Sequence, residues 1–252
     1  MTELGSDPSP NGDPLATTFG RSRVSPEARR ALVRATFEAV APRYDLMNDL
    51  MSLGIHRAWK RRFAAMAAPR TGEAALDLAG GTGDVALLLA RDGAAVTVAD
   101  PSAAMMAVGR RRPGGERLDW REAEAEQLPF ADASFDLVTI AFGIRNVTHM
   151  DAALAEIHRV LRPGGRFFCL EFSTPRAWLA PFYGLWSRTA IPALGALVSG
   201  RVEAYRYLVE SIGRFPDQAR FADMIRTAGF HHVEWSDLSF GIAAIHAGVK
   251  PG

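Results

Sequence analysis

Short apolar runs alternate with helix-like stretches along the chain after residue 70, and these runs predict β-strands. Helical stretches around 83–91, 102–111 and 149–161 separate them. Alternation of strands with helices predicts an α/β fold with a parallel, doubly wound sheet. The five predicted strands are AALDLA (74–79), AAVTVAD (94–100), RLDWREA (117–123), FDLVTIAF (135–142) and GRFFCLEF (165–172).

The segments on either side of this alternation differ from it. Ser25 can cap a helix that begins with Pro26, and residues 55–68 carry apolar side chains at helical spacing. After residue 172 come about forty residues of helix-like sequence, then a helix near 216–228 and two final strands, HHVEWSDL and GIAAIHAGV. We therefore predict a disordered tail (1–24), N-terminal helices that form a lid (25–70) and an α/β domain (71–252) with a helical insertion at about 173–212.

Composition narrows the function classes without selecting one. Of the 252 residues, 48% are hydrophobic and 23% are charged, as in an ordinary soluble globular protein. The formal net charge of +1 gives no reason to expect a nucleic-acid partner. The single cysteine, Cys169, excludes an intramolecular disulfide and a multi-cysteine metal site, and no metal is predicted. We expect a cytoplasmic protein without a transmembrane helix, because no apolar run reaches the roughly 18 residues that a span needs.

The stretch LDLAGGTGDVA, residues 76–86, indicates a nucleotide-type ligand site. Its Gly81, Gly83 and Ala86 match the spacing G-x-G-x-x-G/A, and the turn follows one predicted strand and opens a helix. Asp100 ends the next strand, where a carboxylate accepts hydrogen bonds from ribose hydroxyls. This arrangement suits a nicotinamide or flavin cofactor and S-adenosylmethionine equally well.

Three further features favour S-adenosylmethionine. Asp77 lies four residues before Gly81, where its carboxylate can orient an ammonium group but would repel a pyrophosphate; the alternative is a strand-end carboxylate that caps a loop. The stretch 123–138 places acidic and apolar residues where they can flank an adenine. The turn in LRPGGRFF is common in methyltransferase domains. Together these features predict methyl transfer.

Several longer stretches resemble one family. YDLMNDLMSLGIHRAW (44–59), AFGIRNV (141–147), RVLRPGGRFFCLEFS (159–173) and YRYLVESI (205–212) are similar to the UbiE family of ubiquinone and menaquinone biosynthesis C-methyltransferases. The resemblance implies a class I, Rossmann-like methyltransferase fold with a seven-stranded, mostly parallel sheet whose last strand is antiparallel. It also implies S-adenosylmethionine as methyl donor and a polyprenylated benzoquinol or demethylmenaquinol as acceptor.

The resemblance also assigns cofactor positions. Thr82 falls in the glycine turn, Asp100 falls on the ribose, and Glu124 and Ala125 fall beside the adenine. Ala141 stands where the family often has a serine, so a hydroxyl contact to the cofactor is lost or replaced there. Glu124 stands where asparagine is common.

Ring methylation requires removal of a proton from a neighbouring hydroxyl, which makes the ring carbon nucleophilic. Arg145 and Asn146 follow the fourth strand, where open α/β sheets bind ligands. Arginine is a poor base, so we expect Arg145 to stabilise a phenolate; the alternative is an arginine paired with a core carboxylate. Tyr44 lies in the first signature, which we expect to fold over the cofactor as a lid. His56 in the same signature is expected to help hold that lid.

The isoprenoid tail of such an acceptor needs an apolar surface. The stretch 178–200 could form a tunnel wall or rest on the membrane as a peripheral contact, and a helical cap on the core is the alternative. A homodimer through residues 173–212 is a further hypothesis. An oxidoreductase, a non-catalytic scaffold for quinone biosynthesis and a family member with another acceptor are the alternative functions.

Overall fold

The structure is a computed structural model, and it describes residues 17–19, 22–41, 44–91, 93–181, 184, 186, 189 and 202–252. The described helices are α1 (Pro26–Val40), α2 (Tyr44–Ser52), α3 (Ile55–Ala67), α4 (Asp84–Ala90), α5 (Ala103–Arg110), α6 (Met150–Val160), α7 (Val202–Arg214) and α8 (Gln218–Thr227). The strands are β1 (Thr18–Phe19), β2 (Ser22–Arg23), β3 (Ala74–Leu78), β4 (Ala95–Asp100), β5 (Asp119–Glu122), β6 (Phe135–Ala141), β7 (Leu161–Phe172), β8 (His231–Leu238) and β9 (Ala243–Val249).

Seven strands form one sheet in the order β5-β4-β3-β6-β7-β9-β8. The strands from β5 to β7 pair in parallel, whereas β9 pairs antiparallel with both β7 and β8. The predicted doubly wound sheet is therefore confirmed, and so is the antiparallel last strand that the family resemblance implied.

Hydrophobic cores cover both faces of this sheet. Trp59 and Phe63 of α3 pack with Leu89 of α4 on one face. On the other face, residues of α6 and α8, including Leu154 and Phe221, pack against β6 and β7. Coverage on both sides explains why the central strands are continuously apolar rather than alternating with polar residues.

The strand order reverses at the centre of the sheet. From β3 the chain crosses to β4 on one side, and β6 lies on the other side of β3. The loops that leave the carboxyl ends of β3 and β6 therefore run in opposite directions and leave a crevice between them. This crevice is where an open α/β sheet binds its ligand.

Several elements differ from the predictions. Residues 44–52 form a separate helix, α2, within the segment 25–70 for which N-terminal helices and a lid were predicted without bounds at this position. Within the predicted tail, 1–24, β1 pairs with β2 and the Val24 amide donates to the Thr17 carbonyl. Strand β7 begins at Leu161 rather than 165, with an irregularity in its pairing with β6. Residues 1–16 and most of 182–201 lie outside the described residues.

Candidate active site

A cavity of about 810 Å³, open to solvent, lies at the point where the strand order reverses, and we call it the switch-point cavity. Each parallel strand in the middle of the sheet contributes to it with the loop after its carboxyl end, and α1 and α2 cover it. Predicted site residues that line it are Gly81, Asp100, Glu124, Ala125, Ala141, Asn146 and Tyr44.

Asp100 connects the end of β4 to the glycine turn. Its carboxylate accepts hydrogen bonds from the Gly81 amide at 2.9 Å and from the Ser102 amide at 2.8 Å. Burial raises the pKa of Asp100 to about 6 against the opposing effect of these two amides, and nearby Glu124 raises it further. A buried carboxylate at a cavity wall can accept hydrogen bonds from ligand hydroxyls, and the ribose contact of Asp100 stays a prediction.

The glycine turn needs glycine for two separate reasons. Gly81 and Gly83 have φ angles of +56° and +79°, a region that residues with a side chain rarely adopt. A Cβ atom on Gly83 would also lie 2.8 Å from the Trp120 ring. Gly81 lines the switch-point cavity, and the turn leads directly into α4.

Asp77 is buried below this turn. Its carboxylate accepts hydrogen bonds from the Thr139 hydroxyl at 2.8 Å and from the Ala86 amide in the first turn of α4 at 3.0 Å. Burial raises its pKa to about 7, and both hydrogen bonds oppose that rise. These contacts fit the alternative interpretation, in which Asp77 is a strand-end carboxylate with a capping role. The ammonium contact stays a prediction. Asp77 lines a smaller cavity beside the turn together with Tyr44.

Thr82 faces the lid rather than the switch-point cavity. Its hydroxyl donates to Asp45 of α2 at 3.1 Å and accepts from Arg112. Arg112 also pairs with Asp84 at 2.6 Å, and Lys60 of α3 pairs with Asp84 at 2.8 Å. Burial alone would raise the pKa of Asp84, but Lys60 and Arg112 hold it at about 2. These charged contacts fasten α2 and α3 to the glycine turn.

A second cavity of about 1210 Å³, again open to solvent, lies between α2, α3 and the ends of β7 and α7, and we call it the apolar cavity. Its wall includes aromatic and aliphatic side chains such as Trp59, Phe172 and Leu208. Leu179 and Trp186 from the predicted stretch 178–200 also line it. Tyr44 and Phe142 line both cavities, so the two spaces meet at these side chains.

Arg145 lies in the wall of the apolar cavity and pairs with a core carboxylate. Its guanidinium donates to Glu171 at 2.7 Å and to the Phe142 carbonyl at 2.6 Å, and it lies over the Phe172 ring. Burial raises the pKa of Glu171, and Arg145 opposes that rise. The Nε of Arg145 has no hydrogen-bond partner in the described part of the chain. The ion pair predicted as the alternative is therefore present, and the Nε–H of Arg145 is buried beside it.

Asn146 is held from two sides. The Tyr207 hydroxyl donates to its side-chain oxygen at 3.1 Å, and its side-chain amide donates to the Phe142 carbonyl at 3.3 Å. Tyr207 in turn stacks on Phe19, with ring centroids 4.6 Å apart. These contacts fix the side chain of Asn146 at the edge of the switch-point cavity.

Sequence reasoning missed Arg29, which organises the same loop. Arg29 is fully buried, and its guanidinium donates to the carbonyls of Arg145, Asn146 and Val147 at 2.9–3.1 Å. No signal in the sequence separates it from the other arginines of α1, because its partners lie more than 115 residues away. Tyr207, by contrast, lies within the signature YRYLVESI.

Comparisons with known proteins agree with this geometry. The family model described as "ubiE/COQ5 methyltransferase family" matches residues 23–250. The ubiquinone/menaquinone biosynthesis C-methyltransferase UbiE of Rubrivivax gelatinosus is 62% identical over 237 residues, which cover 94% of each chain. The protein of the same name from Acidiphilium cryptum is 52% identical over 236 residues, 91% of this chain and 95% of that one.

Solved structures share the fold at low sequence identity. A SAM-dependent methyltransferase of Thermotoga maritima superposes with a TM-score of 0.63 at 20% identity, covering 86% of this chain and 99% of that chain. Phosphoethanolamine N-methyltransferase 2 of Haemonchus contortus, in complex with S-adenosyl-L-methionine, gives 0.60 at 16% identity, covering 77% and 53%. The architecture is thus that of the class I methyltransferases.

Proposed function

The chain belongs to the ubiE/COQ5 methyltransferase family, and we propose that it transfers a methyl group from S-adenosylmethionine to a ring carbon of a polyprenylated benzoquinol or demethylmenaquinol. One observation carries the proposal. The switch-point cavity, whose wall contains the Asp100 and Glu124 carboxylates, and the larger apolar cavity meet at Tyr44 and Phe142. A methyl donor in the first and a lipid-like ring in the second would face each other at that junction.

The switch-point cavity fits the donor in shape and chemistry. The turn that contains Gly81 brings backbone close to the cavity, and Asp100 and Glu124 offer carboxylates for hydroxyl and amino hydrogens. Met105, Ala125 and Ala141 add apolar surface of the kind that flanks an adenine ring. Bound there, S-adenosylmethionine would supply an electrophilic methyl group on a positively charged sulfur.

The residues at the junction perform the protein's part of the reaction. Arg145 lines the apolar cavity, where the positive charge of its guanidinium would stabilise the negative charge that forms on the acceptor oxygen when the hydroxyl proton leaves. Asn146 is held by Tyr207 and shapes the donor side, and Tyr44 separates the two cavities. The rings of Trp59, Phe142 and Phe172 pack together and keep water from the acceptor.

The mouth of the apolar cavity supports a peripheral membrane contact. Leu53 and Ile55, at the turn between α2 and α3, are 80% and 43% exposed, and Trp178 and Phe240, 58% and 56% exposed, contact each other edge to face. Burying such side chains in a bilayer interface is favourable. We therefore propose that this rim rests on the cytoplasmic face of the membrane, where a polyprenyl tail is already dissolved.

Two further predictions concern a homodimer and membrane-spanning helices. The homodimer predicted through residues 173–212 stays a prediction, because most of 182–201 lies outside the described residues. In the described part of the chain, no helix combines the length and apolar character needed to span a bilayer.

Calorimetric titration with S-adenosylmethionine, S-adenosylhomocysteine and NADH tests the donor, and a methylation assay on reduced, demethylated quinols tests the acceptor. We expect binding of the two sulfur ligands and loss of that binding in Asp100→Ala, because Asp100 supports both the turn and the cavity wall. Binding of NADH alone would favour an oxidoreductase. Binding of the donor without methylation of any quinol would favour another acceptor, and binding of none would favour a scaffold.

A further inference from the structure

The apolar cavity contains few groups that could receive the proton released from the acceptor. Its titratable lining residues are Tyr44, His56, Lys60 and Arg145. Arg145 is paired with Glu171, and a guanidinium has no lone pair to accept a proton. Lys60 is engaged in a 2.8 Å ion pair with Asp84, and the phenol of a tyrosine is a proton donor at neutral pH. Only His56 among them offers a nitrogen lone pair near pH 7.

Hydrogen bonds around His56 fix which ring nitrogen carries the proton. The Ser52 hydroxyl donates to the Asn48 carbonyl at 2.7 Å, so its oxygen is an acceptor toward Nδ1 of His56, also 2.7 Å away. Nδ1 therefore carries the hydrogen, and Nε2 has the lone pair. Among the described residues, the nearest carboxylate oxygen to Nε2 belongs to Asp49 at 3.8 Å, beyond hydrogen-bond distance.

Burial and the two cations that face His56 keep its imidazole neutral before reaction. Burial lowers its pKa, and Lys60 and Arg57 lower it further, whereas Asp49 and Asp84 oppose them. Asp49 is itself paired with Arg57, and Asp84 with Lys60. A neutral imidazole with its acceptor nitrogen free, at a wall of the cavity where the ring would bind, is the arrangement expected of a general base.

We propose that His56 is the proton acceptor of the methyl transfer, an assignment that rests on the function proposed above. The O–H bond of the acceptor breaks, its proton binds Nε2, and its electron pair becomes available to the adjacent ring carbon. That carbon forms a bond to the methyl group, whose former bond to sulfur leaves its electron pair on a neutral thioether, and it then carries both its hydrogen and the methyl group beside a ring carbonyl. The imidazolium, which faces Asp49, returns its proton to the carbonyl oxygen while the ring carbon loses its hydrogen as a proton to water, so that the aromatic quinol is restored and one proton is released overall.

The test compares His56→Gln with His158→Gln in the methylation assay at saturating donor and acceptor. His158 is also partly buried with a lowered pKa, but it lies on α6 outside the apolar cavity. We expect kcat to fall by about 100- to 10,000-fold in His56→Gln and to stay unchanged in His158→Gln. Calorimetry should show the same affinity for S-adenosylhomocysteine in all three proteins.

The pH profile separates a catalytic role from a structural one. Wild-type kcat should decline below the pKa of His56, which lies under its usual value of 6.5, and this decline should vanish in His56→Gln. Asp77 and Asp100 titrate nearby, so donor affinity is measured at each pH. Added imidazole should restore part of kcat in His56→Ala, which a structural role would not allow.

Each outcome has a separate meaning. Full kcat in His56→Gln, with wild type active on a quinol, overturns the assignment and leaves the proposed function intact. Absence of methylation by wild type overturns the proposed function instead. If His56→Gln does not fold, Ser52→Ala provides the test instead. Loss of the hydrogen bond to Nδ1 should shift the pH at which kcat declines on the acidic side, and an unshifted decline counts against His56.

Discussion

Asp77 is a buried acid whose cost to stability depends on pH. In the folded protein its pKa is about 7, whereas an unfolded aspartate loses its proton near pH 4. Between these two pH values Asp77 keeps its proton in the folded state but loses it in the unfolded state. Its contribution to the stability of the fold is therefore lost as pH rises from about 4 to about 7. A neutral amide at this position should remove that loss.

Asp77→Asn is therefore expected to stabilise the fold at pH 8 by about 1–3 kcal/mol, with a smaller gain at pH 5. An asparagine oxygen can accept from Ala86, and its amide can donate to Thr139, whose hydroxyl can turn to the Leu76 carbonyl. Urea unfolding at both pH values measures the gain. If the charge orients the donor's ammonium, calorimetry should show about tenfold weaker donor binding in the same variant.

Individual residues differ in how far the sequence reveals them. Gly81 and Asp100 occur in a motif whose spacing is local, and the structure brings them together through a hydrogen bond. The pairing of Arg145 with Glu171 was left open as an alternative, because a sequence without a register cannot say which carboxylate a buried arginine meets. Arg29 gave no signal at all, since burial alone distinguishes it from its neighbours in α1.

At the scale of elements, Arg29 joins α1 to the loop after β6. Replacement by methionine keeps the apolar part of the side chain but removes every donor to the carbonyls of Arg145, Asn146 and Val147. Buried carbonyls without a partner cost about 1–3 kcal/mol, and the loop that carries Arg145 and Asn146, the residues proposed to act in catalysis, should loosen. We expect Arg29→Met to lower the melting temperature and to reduce kcat more than tenfold.

Arg29→Lys and Arg62→Met serve as controls for this prediction. A lysine can still donate to some of these carbonyls and should recover part of kcat, whereas Arg62 is an exposed residue of α3 and should have no effect. Thermal unfolding and steady-state kinetics on the same preparations give both quantities. Wild-type kcat in Arg29→Met would show that the loop keeps its geometry without α1.

The elements themselves were predicted best where their periodicity is strong. The bounds of β8 match the predicted strand residue for residue, and α3 ends one residue before the predicted end of its helix. Both segments have a clear pattern and a clear stop in the sequence. The bounds of α2 were not predicted within the helical segment 25–70, since its short sequence is a signature of mixed chemistry rather than a long amphipathic repeat. Its position depends on Asp45, Thr82 and Arg112, a tertiary contact that no local pattern contains.

At the scale of the molecule, the sequence predicts the sheet and the crevice but not the second cavity. The position of the crevice follows from the strand order of the sheet. The alternation of strands and helices and the glycine turn indicate that order in the sequence. The apolar cavity is assembled from α2, α3, α7 and the ends of β7 and β9, segments far apart in the chain. Its connection to the crevice through Tyr44 and Phe142 could be found only in three dimensions.

The exposed rim of the apolar cavity leads to a prediction about the whole molecule. Wild type should co-sediment with vesicles of phosphatidylcholine containing phosphatidylglycerol, and less with phosphatidylcholine alone, because the exposed Arg57 and Arg61 lie on α3, the helix that begins with Ile55 of the rim. Leu53→Asn and Trp178→Ser should each weaken this binding about tenfold, since each removes an apolar side chain worth about 1.5–3 kcal/mol on burial.

Leu53→Asn is a favourable variant for this test. Leu53 has a φ of +50°, which asparagine adopts more readily than leucine, so the fold should not be weakened by the change. Leu32→Asn is the matched control, because Leu32 is 40% exposed on α1 and lies outside the rim. Equal sedimentation of wild type and both rim variants would show that the rim does not contact lipid. Weak binding by the rim variants together with unchanged binding by Leu32→Asn would mean that the acceptor enters its cavity directly from the bilayer surface.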